Sequence, residues 1–252
     1  MPILAFDTST DRMSIALVRM VNGAQQVWSF EAQGGAQSSH TLVPAIMDLM
    51  AQAGLTLAEL DAVAFGRGPG AFTGLRTGCA VAQGLAFGAR ARSGGAPVPV
   101  LPLDSLMVLA EQARLQHAPE AARWQVLALL DARMDEIYAG SYLWAHGAWQ
   151  TVAGPMLASP QDLRAEGSEA LAGNVFANYG DRLPDADHWP RFTVLPEARA
   201  MLSLAPGLLA RGHAVDPALA LPVYIRDKVA STTAERAAAH AVAAASVSTS
   251  RP

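Results

Sequence analysis

The residues of this 252-residue chain with the most chemical promise lie in two short loops. Gly68-Pro69-Gly70-Ala71-Phe72-Thr73-Gly74-Leu75-Arg76 joins an apolar run of strand character to a helical pattern. Glycines at such a junction let backbone N–H groups approach an anion, and the helix N-terminus adds a favourable dipole. The same glycines equally serve a plain tight turn from strand to helix. Asp7-Thr8-Ser9-Thr10 follows the first apolar run. There a carboxylate could hold a metal-bound water and hydroxyls could donate to phosphate oxygens, while Asp and Ser are also ordinary turn formers. Asp7, Gly68, Gly70, Thr73 and Gly74 are therefore the candidate cofactor-binding positions, as two possible phosphate loops.

Other chemistries find little support. His40 opens a helical pattern, and a metal site on a helix needs a second ligand three or four residues on, where Pro44 stands. Cys79 falls within an apolar helical run, where a small buried thiol is the default. Asp131, Asp135 and Glu136 cluster in sequence, but a strand and turn would aim them apart, so no acid–base pair is predicted. We expect no catalytic residue and no metal ligand.

These loops need elements to hold them. Ile3 to Phe6, Met13 to Val18 and Val27 to Phe30 read as strands, with Asn22-Gly23 as a tight turn. Leu42, Val43, Ile46, Leu49 and Met50 recur at helical spacing over 38–53, with Gly54 as the stop and Thr56/Glu59 as a capping box for the next turn. Ala62 to Phe65 is a fourth strand. Thr73 to Ala89 is a second long helix, whose small residues predict close approach of another backbone. Beyond the Gly- and Pro-rich stretch 90–102, a helix is predicted over 105–116 and strands over 126–130, 136–144 and 148–152. A helix over 198–211 and a closing strand Pro222 to Arg226 complete the pattern.

The charged fraction of 16% and the net charge of −4 offer no basic footprint for a nucleic-acid backbone, so strong nucleic-acid binding by this chain alone is not expected. One cysteine cannot form an intramolecular disulfide, which points to a reducing compartment. Asp7 interrupts the N-terminus before a signal core could form, and no apolar run approaches a membrane span. A cytoplasmic location is expected.

A hydrophobic run, an acidic residue and a second strand occur twice, at Ile3–Phe6 with Asp7 and at Val126–Leu130 with Asp131. The predicted fold class is α/β, of the actin-like ATPase type (ASKHA, ribonuclease H-like): two similar lobes, each a mixed sheet flanked by helices. The expected division is an N-terminal lobe over 1–100, a C-terminal lobe over 101–228 and an Ala/Ser/Thr-rich tail over 229–252, read as mobile. The usual phosphate loop of that superfamily has glycine after its aspartate, and Thr8 and Ala132 stand there instead.

Taken in order, Ile3-Leu4-Ala5-Phe6-Asp7-Thr8-Ser9, His40-Thr41-Leu42-Val43-Pro44, Gly68 to Gly78, Asp131-Ala132-Arg133 with Glu136-Ile137-Tyr138, and Pro222-Val223-Tyr224-Ile225-Arg226 resemble the TsaB (YeaZ) family. That resemblance implies a non-catalytic scaffold subunit working with a TsaD-like catalytic paralogue and a TsaE-like ATPase. Together they transfer a threonylcarbamoyl group to the adenosine beside the anticodon of ANN-reading tRNAs. It further implies no tightly bound cofactor on this chain, ATP used by the complex through TsaE, tRNA met only through the complex, and a homodimer when the partner is absent. The catalytic paralogue holds its metal with His-x-x-x-His, against His40 and Pro44 here. Ala71 replaces the family's usual serine. A small-molecule kinase of the same superfamily and a zinc peptidase-like protein are the alternatives. For the partner interface, the expected residues are Leu42, Ile46, Leu49 and Met50 on the first long helix and Ala80, Gly84, Leu85 and Gly88 on the second.

Overall fold

The computed structural model describes residues 1–93, 97–183 and 188–226. The expected tail over 229–252 lies outside them. The first sheet is built from β1 (Ile3–Asp7), β2 (Arg12–Val21), β3 (Ala24–Gln33), β4 (Ala62–Gly68) and β5 (Val100–Asp104), in the order β3-β2-β1-β4-β5. β1 pairs antiparallel with β2 and parallel with β4. The second sheet uses β6 (Arg123–Arg133), β7 (Glu136–Ala145), β8 (Ala148–Ala158), β9 (Ala170–Gly173) and β10 (Arg191–Thr193), in the order β10-β9-β6-β7-β8. Here β6 pairs antiparallel with β7 and parallel with β9. The echo seen in sequence is thus a repeated topology: a three-strand meander followed by parallel strands added on the other side of its first member.

Helices α1 (Ser38–Ala53) and α2 (Phe72–Ser93) cover one face of the first sheet. Alternation along β1 divides its residues between two cores, Leu4 and Phe6 facing α1 and α2, and Ile3 and Ala5 facing the other way. On that inner face lie α3 (Ser105–His117) and α5 (Ala198–Ala210), which also pack against Trp124, Val126, Ala128, Leu130 and Tyr142 of the second sheet. The outer face of the second sheet packs Leu127, Leu129 and Ile137 beneath Leu163, Val175 and Tyr179, the last belonging to the short α4 (Phe176–Tyr179). The two sheets therefore share one central core through α3 and α5.

Local expectations meet the structure in several places. Gly54 ends α1 in the left-handed conformation at φ 63°, and Thr56 with Glu59 forms the capping box. α1 begins at Ser38, so Pro44 lies inside it and removes the bond its N–H would have given to the His40 carbonyl. Pro222–Arg226 is not a strand. Among the described residues its one backbone bond runs from Val223 N to Arg67 O at 2.7 Å, and side chains rather than a ladder hold it.

Candidate interlobe cleft

A cleft of about 270 Å³ opens where the C-terminal ends of β1, β4 and β6 approach one another. One wall is Ser9 to Asp11 with Pro69 to Phe72, the other Leu130 to Met134 with Asn174, and Val223 to Arg226 line it between them. The two predicted loops do meet here, and most of their polar groups are engaged with the chain itself, Asp7 Oδ2 excepted.

Asp7 is buried at 1% exposure, and its Oδ1 accepts from Ser9 N at 2.8 Å and Ser9 Oγ at 2.7 Å. Its Oδ2 finds no partner among the described residues and lies against Gly66, where a Cβ would sit 1.8 Å from it. Burial pushes the Asp7 carboxyl up to about 6, against the downward pull of the Ser9 bonds. Asp131 repeats the same local turn, its Oδ1 accepting from Arg133 N at 2.8 Å and from Tyr179 OH at 3.1 Å. Both aspartates at the repeated strand ends thus cap the turn that follows them.

The glycines of 68–74 are likewise committed. A Cβ on Gly70 would sit 2.4 Å from Ser9 O, and one on Gly74 1.9 Å from Thr8 O; Thr8 Oγ1 donates to Gly74 O at 2.8 Å. Gly68, at φ 112°, lies against the Val223 carbonyl. Of the five candidate phosphate-loop residues, Asp7, Gly68, Gly70 and Gly74 hold the first loop, the β4–α2 junction and the C-terminal segment together. The close backbone approach predicted from the small residues of α2 is real at Gly74 and is made by Thr8.

The expected interface requires a correction. Leu42, Ile46, Leu49, Met50 and Leu85 are buried within this chain, at 8% exposure or less, against Phe6, Ile15, Leu17 and Phe65 of its own sheet. The apolar stripe is spent on the core because each helix must first cover that sheet. The outward faces of α1 and α2 carry Val43 (41% exposed), Met47 (42%) and Phe87 (42%) beside exposed Ala80 and Gly84. Neither Gly84 nor Gly88 has anything within 4 Å of a would-be Cβ. Among the described residues no three His, Cys, Asp or Glu side chains converge as a metal site, and no helix is long and apolar enough to cross a membrane.

Two contacts were not foreseen. Arg76 lies 3.9 Å over the Phe72 ring and donates through Nε to Tyr224 OH at 3.2 Å, so two sequence landmarks 148 residues apart are mutual partners. Arg226 reaches the second lobe, bonding Ala132 O at 3.0 Å and Glu136 Oε2 at 2.6 Å. Both landmarks were visible as motifs; nothing in their composition said that they touch.

Two lobes of repeated topology around a cleft define an α/β protein of the actin-like ATPase superfamily. The family model of TsaD, tRNA N6-adenosine threonylcarbamoyltransferase, matches residues 31–247. The tRNA threonylcarbamoyladenosine biosynthesis protein TsaB of Haemophilus influenzae is 32% identical over 90% of this chain and 94% of its own length. TsaB of Escherichia coli is 32% identical over 91% and 96%. The structure of YeaZ from Pseudomonas aeruginosa superposes with a TM-score of 0.75 at 36% identity, covering 88% of this chain and 99% of that one. The chain belongs to the TsaB (YeaZ) family.

Proposed function

We propose that this chain is a non-catalytic subunit in the biosynthesis of tRNA threonylcarbamoyladenosine, the pathway for which its TsaB relatives are named. In this reading it supports a TsaD-like catalytic paralogue, with a TsaE-like ATPase, in threonylcarbamoyl transfer to the adenosine beside the anticodon of ANN-reading tRNAs. The observation that carries the non-catalytic part is the state of the cleft. Asp7 and Asp131 each hold their own turn through Oδ1, and the glycines that would cradle a phosphate are packed against Thr8, Ser9 and Val223. The chain binds no cofactor tightly, and ATP is used elsewhere in the complex.

The partner face in this proposal is the outward side of α1 and α2, where Val43, Met47 and Phe87 flank Ala80 and Gly84. Large apolar groups beside small ones suit another helix pair packing closely, either the paralogue or a second copy of this chain. Gly84→Arg tests it. The site is open, so the variant should fold with a wild-type melting temperature yet lose co-purification with the catalytic paralogue. Retained binding would place the partner elsewhere. Reconstituted transfer to unmodified tRNA should require this chain and fail with it alone; modified nucleoside formed by the chain alone would overturn its non-catalytic assignment.

A further inference from the structure

The segment Val223–Arg226 lines the cleft and bonds to both lobes, and the two ends of that bridge are built differently. On the first lobe it is held at several points. Ala220 O accepts from Cys79 Sγ at 3.1 Å and Gln83 Nε2 at 3.0 Å, and Val223 N donates to Arg67 O at 2.7 Å. Tyr224 then packs on Phe72 with ring centroids 5.0 Å apart. On the second lobe every polar contact among the described residues comes from the one side chain of Arg226. It donates to Ala132 O at 3.0 Å and Arg133 O at 3.2 Å and pairs with Glu136 at 2.6 Å.

The hairpin that receives Arg226 is in an unusual state. Arg133, Met134 and Asp135 have φ of 65°, 56° and 60°, three consecutive non-glycine residues in the left-handed region. Such residues persist only where surrounding contacts hold them. The guanidinium supplies such contacts at the carbonyls of Ala132 and Arg133.

We propose that Pro222–Arg226 is a clasp that keeps the interlobe cleft shut, anchored permanently on the first lobe and released by withdrawal of Arg226 from the 132–136 hairpin. Polar control of entry to the cleft then rests on one charged side chain, 16% exposed, beside Ile225 packed on the central core, rather than on separation of the lobes, which α3 and α5 hold together.

Ala132 lines the cleft at 8% exposure and provides the reporter. In Ala132→Cys, reaction of the introduced thiol with an aromatic disulfide reagent should be slow. Adding Arg226→Ala should accelerate it about tenfold, the scale expected for losing a charge-assisted bond. Glu136→Gln, which removes the ion pair but leaves both carbonyls, should give a smaller acceleration and guards against misfolding of the arginine variant. Cys79, buried at 6% exposure, should react no faster in Arg226→Ala than in the wild type. Unchanged rates at position 132 in both backgrounds would overturn the clasp. An equal rise at Cys79 would overturn it too, since the whole fold would then have loosened.

Discussion

Tyr142 OH donates to Asp104 Oδ2 at 3.0 Å, while Asp104 Oδ1 accepts from Leu106 N and Met107 N at the start of α3. One carboxylate thus caps the helix between the lobes and ties it to the second sheet. Burial raises the Asp104 carboxyl above its usual range, and the Tyr142 bond opposes that rise.

Tyr142→Phe leaves Asp104 Oδ2 without its donor in a buried place. A loss of about 1 to 3 kcal/mol is expected, read as a lower urea midpoint with unchanged slope. A midpoint within error of the wild type would mean that the bond contributes nothing net.

Two glycines of one helix should respond oppositely to alanine. At Gly74 the new methyl meets Thr8 O at 1.9 Å, so Gly74→Ala should cost about 2 kcal/mol or more despite the better helix propensity. At Gly84 nothing lies within 4 Å, and Gly84→Ala should stabilise by about 0.5 to 1 kcal/mol. Thermal melts of the two variants, one lowered and one raised, check the pair.

Asp7 makes stability depend on pH. Its folded value near 6 exceeds the usual carboxylate value of about 4, so the folded state binds more protons between these limits. The group's stabilisation is complete below about pH 4 and is lost as pH rises through about 6, up to about 3 kcal/mol in all. Between pH 5 and 7.5 about 1.4 kcal/mol of that decline falls. Asp7→Asn should abolish this part of the slope in urea titrations at the two pH values. An identical slope in the variant would show that Asp7 does not titrate there.

Glu111 is the centre of a buried network, 2% exposed, accepting from Arg114 at 2.8 and 2.9 Å, from Trp149 Nε1 at 2.8 Å and from Ser203 Oγ at 2.6 Å. Glu111→Ala strands the Arg114 guanidinium beneath Trp144. A loss of about 3 to 5 kcal/mol is expected, measured by chemical denaturation; a loss below about 1 kcal/mol would mean that water replaces the carboxylate.

Much of this architecture can be read from residue order. The strand–turn–helix run around Gly68, the helix stop at Gly54 and the repeated strand-then-aspartate pattern all rest on local chemistry, which sequence displays directly. β9 and β10, with four and three residues, carry too little periodicity to be seen. The stripe of Leu42, Ile46, Leu49 and Met50 revealed an apolar face without revealing what covers it, and the chain's own sheet does. Pro222 to Arg226 looked like a strand because apolar alternation marks burial on one side, whether a ladder or side chains provide it. The glycines of 68–74 are legible as a need for close approach, but what approaches is backbone from Thr8, Ser9 and Val223, a relation only three dimensions supply.

The shared central layer also sets the order in which the chain can mature on the ribosome. The inner face of the first sheet, with Ile3, Ala5, Ala16 and Val18, is complete once β5 ends at Asp104, yet its cover includes α5, which ends at Ala210. At about 5 to 20 residues per second, roughly a hundred further residues take on the order of 5 to 20 s to be made. For that interval the inner face of the first lobe has α3 as cover but lacks α5, so its native burial is completed only near the end of synthesis.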